Sequence, residues 1–563
     1  QSLEDLNVTL DQSERLYLAI KEGLRYPKVN AYGYVSNTEL MGFLEKLGEI
    51  FNWEKYERSL IGNKDDNGEH PVLKRHVRDN DSIFCIPAVE PVFRDSERRS
   101  KMAVEWMQEL ISYAKDLGFY VQFSFEPRHA SVSETVSIAH DILKEYPSID
   151  ALELITEETG GWGDEYTADQ AHAALQEWFS PEIAADPVVN RAILPEGNDL
   201  AYLYSQIGSF SKAIHELQAE EGISQDIKLG IYCVKGDMTE GAYRLARLSL
   251  PEVPVCLLSS HGSMPTAIEL GKLNMNADDL RHTEIYSWVE FDGMMYLQQN
   301  STAGNAAMME LLDSILPGEQ LSSVAYNHWR TAENSVPSRY AAVSTIEGPV
   351  PVGDFYGDYA RRLGLSDPAA FHSAMETVWE VDNYIRGEFG NIGFCWGGWW
   401  RDGGEFNAHS RVEKFKKGKE LYLRAGNYLE ELALGLEPGS KAREYLSFLG
   451  NRLLSSAVYL DVMLAADELN KIPRLADGSV PPGNKERALE VCDHVLLYMD
   501  RFIETYGRIL PDRGSEGLIV SYWNSPVKGL KVIRSRLTGV EMETPPHSDR
   551  PIDDPPHIPV FEE

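Results

Sequence analysis

Up to about residue 330, apolar and β-branched residues bunch into eight short runs separated by polar, helix-periodic stretches. The runs are VNAYGYV (29–35), SIFCIPAVE (82–90), YVQFSFEP (120–127), ALELITEE (151–158), IKLGIYCV (227–234), VPVCLLSS (253–260), EIYSWVEFD (284–292) and SSVAYNHW (322–329). Between them lie segments such as SKMAVEWMQELISYAKDLG and SETVSIAHDILKEY, whose apolar residues recur at helical spacing. Parallel neighbours need a crossover of a dozen or more residues, so alternating strands and helices predict a parallel sheet. Eight such units predict an α/β chain built on a closed (β/α)8 TIM barrel over residues 1–350.

The pattern changes after about residue 350. Long amphipathic stretches, among them RVEKFKKGKELYLRAGNYLEELALG and KERALEVCDHVLLYMDRFIETYG, predict an α-helical C-terminal domain over 351–540. Residues 541–563 are proline-rich and acidic and predict an extended tail. The long stretch at about 160–225 reads as an insertion after the fourth strand, at the C-terminal face where substrate loops belong.

Side chains alternate between the helix layer and the axis along a barrel strand, so parity sorts the acids. In the seventh run Ile285, Val289 and Phe291 suit the helix layer, leaving Tyr286, Trp288, Glu290 and Asp292 inward. In the third, Val121, Phe123 and Phe125 face the helices; Gln122, Ser124 and Glu126 face in, with Arg128 and His129 just beyond. In the fourth, Leu152 and Leu154 face out, and Glu153, Ile155 and Glu157 face in, followed by Glu158 and Trp162 in the loop. Tyr232 and His261 lie near the ends of the fifth and sixth runs, and the eighth turns Asn327 and Trp329 toward the mouth, with Arg330 next.

Several carboxylates thus gather on one rim. Crowding like charges in a cleft raises some pKa values and leaves other groups ionised. Splitting a protonated donor from an ionised partner is what glycosidic cleavage requires. Glu157, Glu158, Glu290 and Asp292 are therefore the candidate catalytic acids. Tryptophans add flat faces suited to pyranose rings: Trp162, Trp329 and, within GFCWGGWWRDGGEFNAHS, Trp399.

This layout resembles the (β/α)8-barrel glycoside hydrolases, in which an acid/base Glu ends strand four and a second carboxylate ends strand seven. The matching residues are Glu157 (or Glu158) in LITEETGGW and Glu290 in SWVEFDG, with Trp329 in AYNHWRTAEN standing where a rim tryptophan is common. A barrel followed by helices also resembles the α-glucuronidase-like architecture. One departure is Thr156 before Glu157, where the large retaining clan has Asn; this leaves an inverting scheme, with Glu157 as acid and Asp292 or Glu290 as base, open.

Composition narrows the classes. With 88 acidic against 53 basic residues the net charge is -35, which opposes binding to a phosphate backbone, so no nucleic-acid partner is expected. No run of about 18 apolar residues spans a membrane. The five scattered cysteines form no CxxC pair. The reading is a glycoside hydrolase acting on a polysaccharide or oligosaccharide. Arg128, His261 and Arg330 fit an acidic, uronate or sulfated, sugar by paired hydrogen bonds. No cofactor or metal is expected. The alternatives are a metal-dependent sugar isomerase or epimerase using His129, His261 and His328, or a non-catalytic carbohydrate-binding protein. A start at Gln1 fits a removed export signal, hence a periplasmic or extracellular location, as well as a trimmed chain.

Overall fold

The computed structural model describes most of residues 120–538, apart from short segments and the stretch 390–411, together with a few positions between 108 and 116. The first two runs, the tail and the Trp399 cluster lie outside the described residues.

The remaining six runs all form strands: β1 (Gln122–Phe125), β2 (Ala151–Ile155), β3 (Asp226–Tyr232), β4 (Val255–Leu258), β5 (Thr283–Trp288) and β6 (Ser323–Asn327). They make one parallel sheet in sequential order. Helices cross between neighbours: α1 (Val132–Glu145), α2 (Ala168–Trp178), α3 (Leu200–Ala219), α4 (Gly236–Ser249), α5 (Ser263–Lys272), α6 (Thr302–Ile315) and, after β6, α7 (Ser335–Glu347). Residues of β1 and β6 line the same hollow, so the sheet is curled into a half-barrel.

Local chemistry explains the boundaries. A capping box starts α1: Ser131 accepts from the Glu134 N–H, and the Glu134 carboxylate accepts from the Ser131 N–H. The parity expectation holds for β1 and β2. Phe123 stacks on Tyr146, at the end of α1, at 5.1 Å, and Leu152 and Leu154 are completely buried on the helix side, whereas Gln122, Ser124, Glu153 and Ile155 line the hollow. The expected insertion after β2 is partly the crossover itself. Residues 168–191 add α2 and two short helices, but the 20-residue α3 is the helix that returns the chain to β3.

Six further helices of eight or more residues follow among the described residues: α8 (Val352–Arg362), α9 (Pro368–Phe389), α10 (Val412–Leu434), α11 (Lys441–Asn470), α12 (Lys485–Tyr506) and α13 (Lys528–Thr538). They pack onto the loops at the C-terminal ends of β5 and β6. Tyr296, in the loop after β5, inserts among Tyr459, Phe502 and Tyr522 with centroid separations of 5.2, 6.0 and 4.9 Å. Tyr422 of α10 donates to the Gln298 carbonyl, Gln298 N–H donates to Ser456 of α11, and Asn300 N–H donates to Asp382 of α9. Aromatic packing plus satisfied backbone groups hold this loop to the helices. No helix among the described residues is long and apolar enough to cross a membrane.

Candidate active site

The end of β2 is fixed before it delivers its acid. Thr156 donates its N–H to the Gly230 carbonyl at 2.9 Å, and its hydroxyl accepts the Tyr232 N–H at 2.9 Å, so β2 stays tied to β3 for one residue beyond its last strand position. Glu157 then emerges half-buried at the C-terminal face. Two residues one turn apart on α3 grip it. Gln206 Oε1 accepts the Glu157 N–H at 3.0 Å, the Tyr202 hydroxyl donates to Glu157 Oε2, and Gln206 Nε2 donates to that hydroxyl at 3.1 Å. Tyr166 stacks on the Tyr202 ring at 6.2 Å. An orienting group on the carboxylate and a second residue fixing that group make a preorganised acid.

Glu290 lies deeper than an open rim group. Parity places it inward at the mouth, but the structure buries it completely. Its carboxylate accepts from the Arg330 Nε and, through Oε2, from the Arg330 N–H at 2.9 Å and the Asn334 side chain at 2.7 Å. Arg330 also donates to the Leu297 carbonyl at 2.9 Å. The pair ties the loop after β6 to the loop after β5, so neither Glu290 nor Arg330 is the open rim group expected of it. Trp288 is likewise wholly buried and presents no free face for a sugar ring. The loop that follows Glu290 is itself tied to the C-terminal helices through Tyr296, Gln298 and Asn300.

A second buried pair ties these helices to the loop after β6. Arg452 of α11 donates to Glu333 Oε1 at 2.9 Å and to the carbonyls of Tyr506 and Ile509, while its guanidinium lies 3.7 Å from the Tyr506 ring centre. Burial pushes the Glu333 carboxyl up, but Arg452 and Arg330 outweigh it and hold the group below the usual range. The loop carrying Asp292 is closed at its base by the Gln299 side chain, which accepts the Phe291 N–H and donates to the Phe291 carbonyl, both at 2.8 Å.

Tyr232 ends β3, buried, and lines the hollow; Glu126 is half-buried just past β1; Asn327 closes β6. Glu158, Asp292, Arg128, His129, Trp162, His261, His328, Trp329 and Trp399 lie outside the described residues. Among the described residues no group of three or more His, Cys, Asp or Glu is placed to hold a metal ion.

Sequence reasoning missed the polar network on the floor of the hollow. Glu153 Oε2 accepts from Gln122 at 2.8 Å and Ser124 at 2.5 Å. Lys228 donates to Gln122 Oε1 at 2.9 Å and to Glu284 at 2.5 Å; Lys228 and Glu284 are both buried. Parity alone flagged Glu153, and it flags Lys228 and Glu284 too, since each stands on the inward set of a strand that is otherwise apolar. Burial pushes the Glu153 carboxyl up, and the neighbouring Glu284 charge adds to it, against the hydrogen bonds from Ser124 and Gln122.

Comparison with solved structures gives several likenesses, two of which are as follows. The chain is 12% identical to a mutant of the Thermobaculum terrenum O-GlcNAc hydrolase, covering 78% of this chain and 86% of that one with a TM-score of 0.37. It is 9% identical to a GH138 enzyme targeting pectin rhamnogalacturonan II, covering 91% of this chain and 81% of that one with a TM-score of 0.44. No protein-family model matches the chain, and no curated protein matches it.

Proposed function

We propose that the chain is a glycoside hydrolase that cleaves a polysaccharide or oligosaccharide between two carboxylates at the C-terminal face of a (β/α)8 barrel. The observation that carries this reading is Glu157: a half-buried carboxylate at the C-terminal end of a parallel strand, oriented by Tyr202 and Gln206. Carboxyl groups at strand ends, reached by βα loops, are where such sheets do chemistry. In this scheme Glu157 protonates the leaving glycosidic oxygen. Asp292, on the loop closed by Gln299, is the second carboxylate, since the carboxylate of Glu290 is committed to Arg330 and Asn334. It activates a water or attacks the anomeric carbon. The spacing of the two carboxyls decides which: about 5–5.5 Å favours retention and about 6.5–9.5 Å inversion.

Acidic substrates lose one of their supports. Arg330 is already neutralised by Glu290, so recognition of a uronate or sulfate would fall to Arg128 and His261. The test is digestion of a panel of neutral and acidic polysaccharides and oligosaccharides, followed by proton NMR of the first product formed. Release of a reducing sugar of one anomeric configuration is expected from at least one glycan. Intact glycans across the panel, with folded protein, would count against the reading.

A further inference from the structure

Three hydrogen bonds at the end of β2 form a closed circuit that leaves Glu157 and returns to it. The Glu157 N–H donates to Gln206 Oε1 at 3.0 Å, Gln206 Nε2 donates to the Tyr202 hydroxyl at 3.1 Å, and that hydroxyl donates to Glu157 Oε2. Gln206 and Tyr202 stand four residues apart on α3, so the helix presents both on one face. Gln206 is buried, and a buried amide needs both of its ends satisfied.

The circuit has one sense. A backbone N–H donates and never accepts, so it fixes the oxygen end of the Gln206 amide against Glu157. The NH2 end then faces Tyr202, and an amide nitrogen is a donor alone. Tyr202 therefore accepts from Gln206 and directs its own O–H at Glu157 Oε2. A neutral carboxylic acid accepts better through its carbonyl oxygen than through its hydroxyl oxygen. Oε2 is thus the carbonyl oxygen of the acid form, and Oε1 carries the proton.

We infer that Gln206 is a positioning residue acting through Tyr202: it sets the sense of the circuit and so assigns the acid proton of Glu157 to Oε1, the oxygen that delivers it to the glycosidic bond. The delivery rests on the reading of Glu157 as the general acid; the assignment of the proton does not. In the transfer the Oε1–H bond breaks and its electron pair stays on Glu157. The proton binds a lone pair of the glycosidic oxygen, whose bond to the anomeric carbon breaks with its pair going to that oxygen. The carbon is taken by a water or by the second carboxylate, as proposed above. Negative charge then appears on Glu157, where the Tyr202 O–H already stands on Oε2 and becomes a charge-assisted hydrogen bond.

The assignment is tested without turnover. In Glu157→Gln the amide mimics the neutral acid, its oxygen standing for the acid carbonyl and its NH2 for the acid hydroxyl. Neutron diffraction from deuterium-exchanged crystals of the full chain tells nitrogen from oxygen and shows each deuteron. The residue 157 oxygen should face Tyr202, with the Tyr202 deuteron directed at it, and the nitrogen should take the place of Oε1. Adding Gln206→Glu to the same protein should reverse the circuit. An ionised carboxylate at 206 still accepts the residue 157 backbone N–H but cannot donate. Tyr202 then turns its O–H to residue 206 and accepts from the residue 157 amide, whose nitrogen now faces it. A nitrogen facing Tyr202 in the single variant overturns the inference, and so does an amide that keeps its orientation in the double variant.

The catalytic consequence is read in Gln206→Glu alone, on a glycan that the wild type cleaves and on the nitrophenyl glycoside of the same sugar. The reversed circuit turns the Glu157 proton toward Tyr202. Glycan turnover should fall at least about tenfold, whereas the nitrophenyl glycoside, whose leaving group needs little protonation, should change by less than about threefold. Equal losses on both, as a merely structural role would give, or full glycan turnover would overturn the delivery from Oε1. A chain that cleaves no glycan loses the proposed function, and the diffraction result still decides where the proton sits.

Discussion

Glu157→Gln should lower glycan turnover by about 10²- to 10⁴-fold, the usual contribution of a positioned general acid. The amide is isosteric and still accepts from the Tyr202 hydroxyl, so α3 and the end of β2 keep their arrangement. Steady-state kinetics should therefore show the loss in kcat with KM little changed, and the melting temperature should stay near wild type. Tyr202→Phe should give a smaller loss of the same kind, because it removes the orienting hydroxyl and leaves the acid in place. Full turnover in Glu157→Gln would remove this residue from the scheme.

The second large effect is on stability. Glu290→Ala should destabilise the fold by about 3–5 kcal/mol, the range expected when one member of a buried ion pair is deleted. Both partners are buried, and the alanine leaves the Arg330 guanidinium buried without its carboxylate. Urea denaturation would measure the shift in midpoint. The double variant Glu290→Gln with Arg330→Met should recover much of the loss, because it removes the stranded charge as well. A Glu290→Ala protein of wild-type stability would mean that the carboxylate is not holding the two rim loops together.

Hydrophobic patterning carried a great deal of the architecture. Six of the eight runs are strands in the expected order and parallel sense, because burial on both faces demands near-continuous apolar runs bounded by crossover helices. Period-2 parity sorted β1 and β2 correctly, down to Leu152 and Leu154 against Glu153 and Ile155. It failed at the top of β5. Parity says which way a side chain points; it cannot say what covers the end of the strand. Trp288 and Glu290 do leave β5 on the inward set, but both are buried, and Arg330 and Asn334, 40 and 44 residues later, take the Glu290 carboxylate. Tyr202 was equally out of reach, since its link to Glu157 spans 45 residues and no local spacing encodes it. Lys228 and Glu284 were within reach. A charge on the inward set of a buried strand needs a partner of opposite sign at the same level of the sheet.

The same contrast separates the roles of two glutamates that look alike in the sequence. Glu290 has its carboxylate filled by Arg330 and Asn334 and belongs to the frame. Glu157 is half-buried, with one oxygen held by Tyr202 at the face where the strands end. The central claim is that a glycosidic bond is broken beside Glu157. A crystal structure of the Glu157→Gln variant, soaked with the oligosaccharide that the wild type cleaves, tests it most directly. The account predicts a sugar chain lying across the C-terminal ends of β2 and β3, with the residue 157 amide within hydrogen-bonding reach of the bridging oxygen. A chain bound on another face of the protein, with residue 157 untouched, would contradict it.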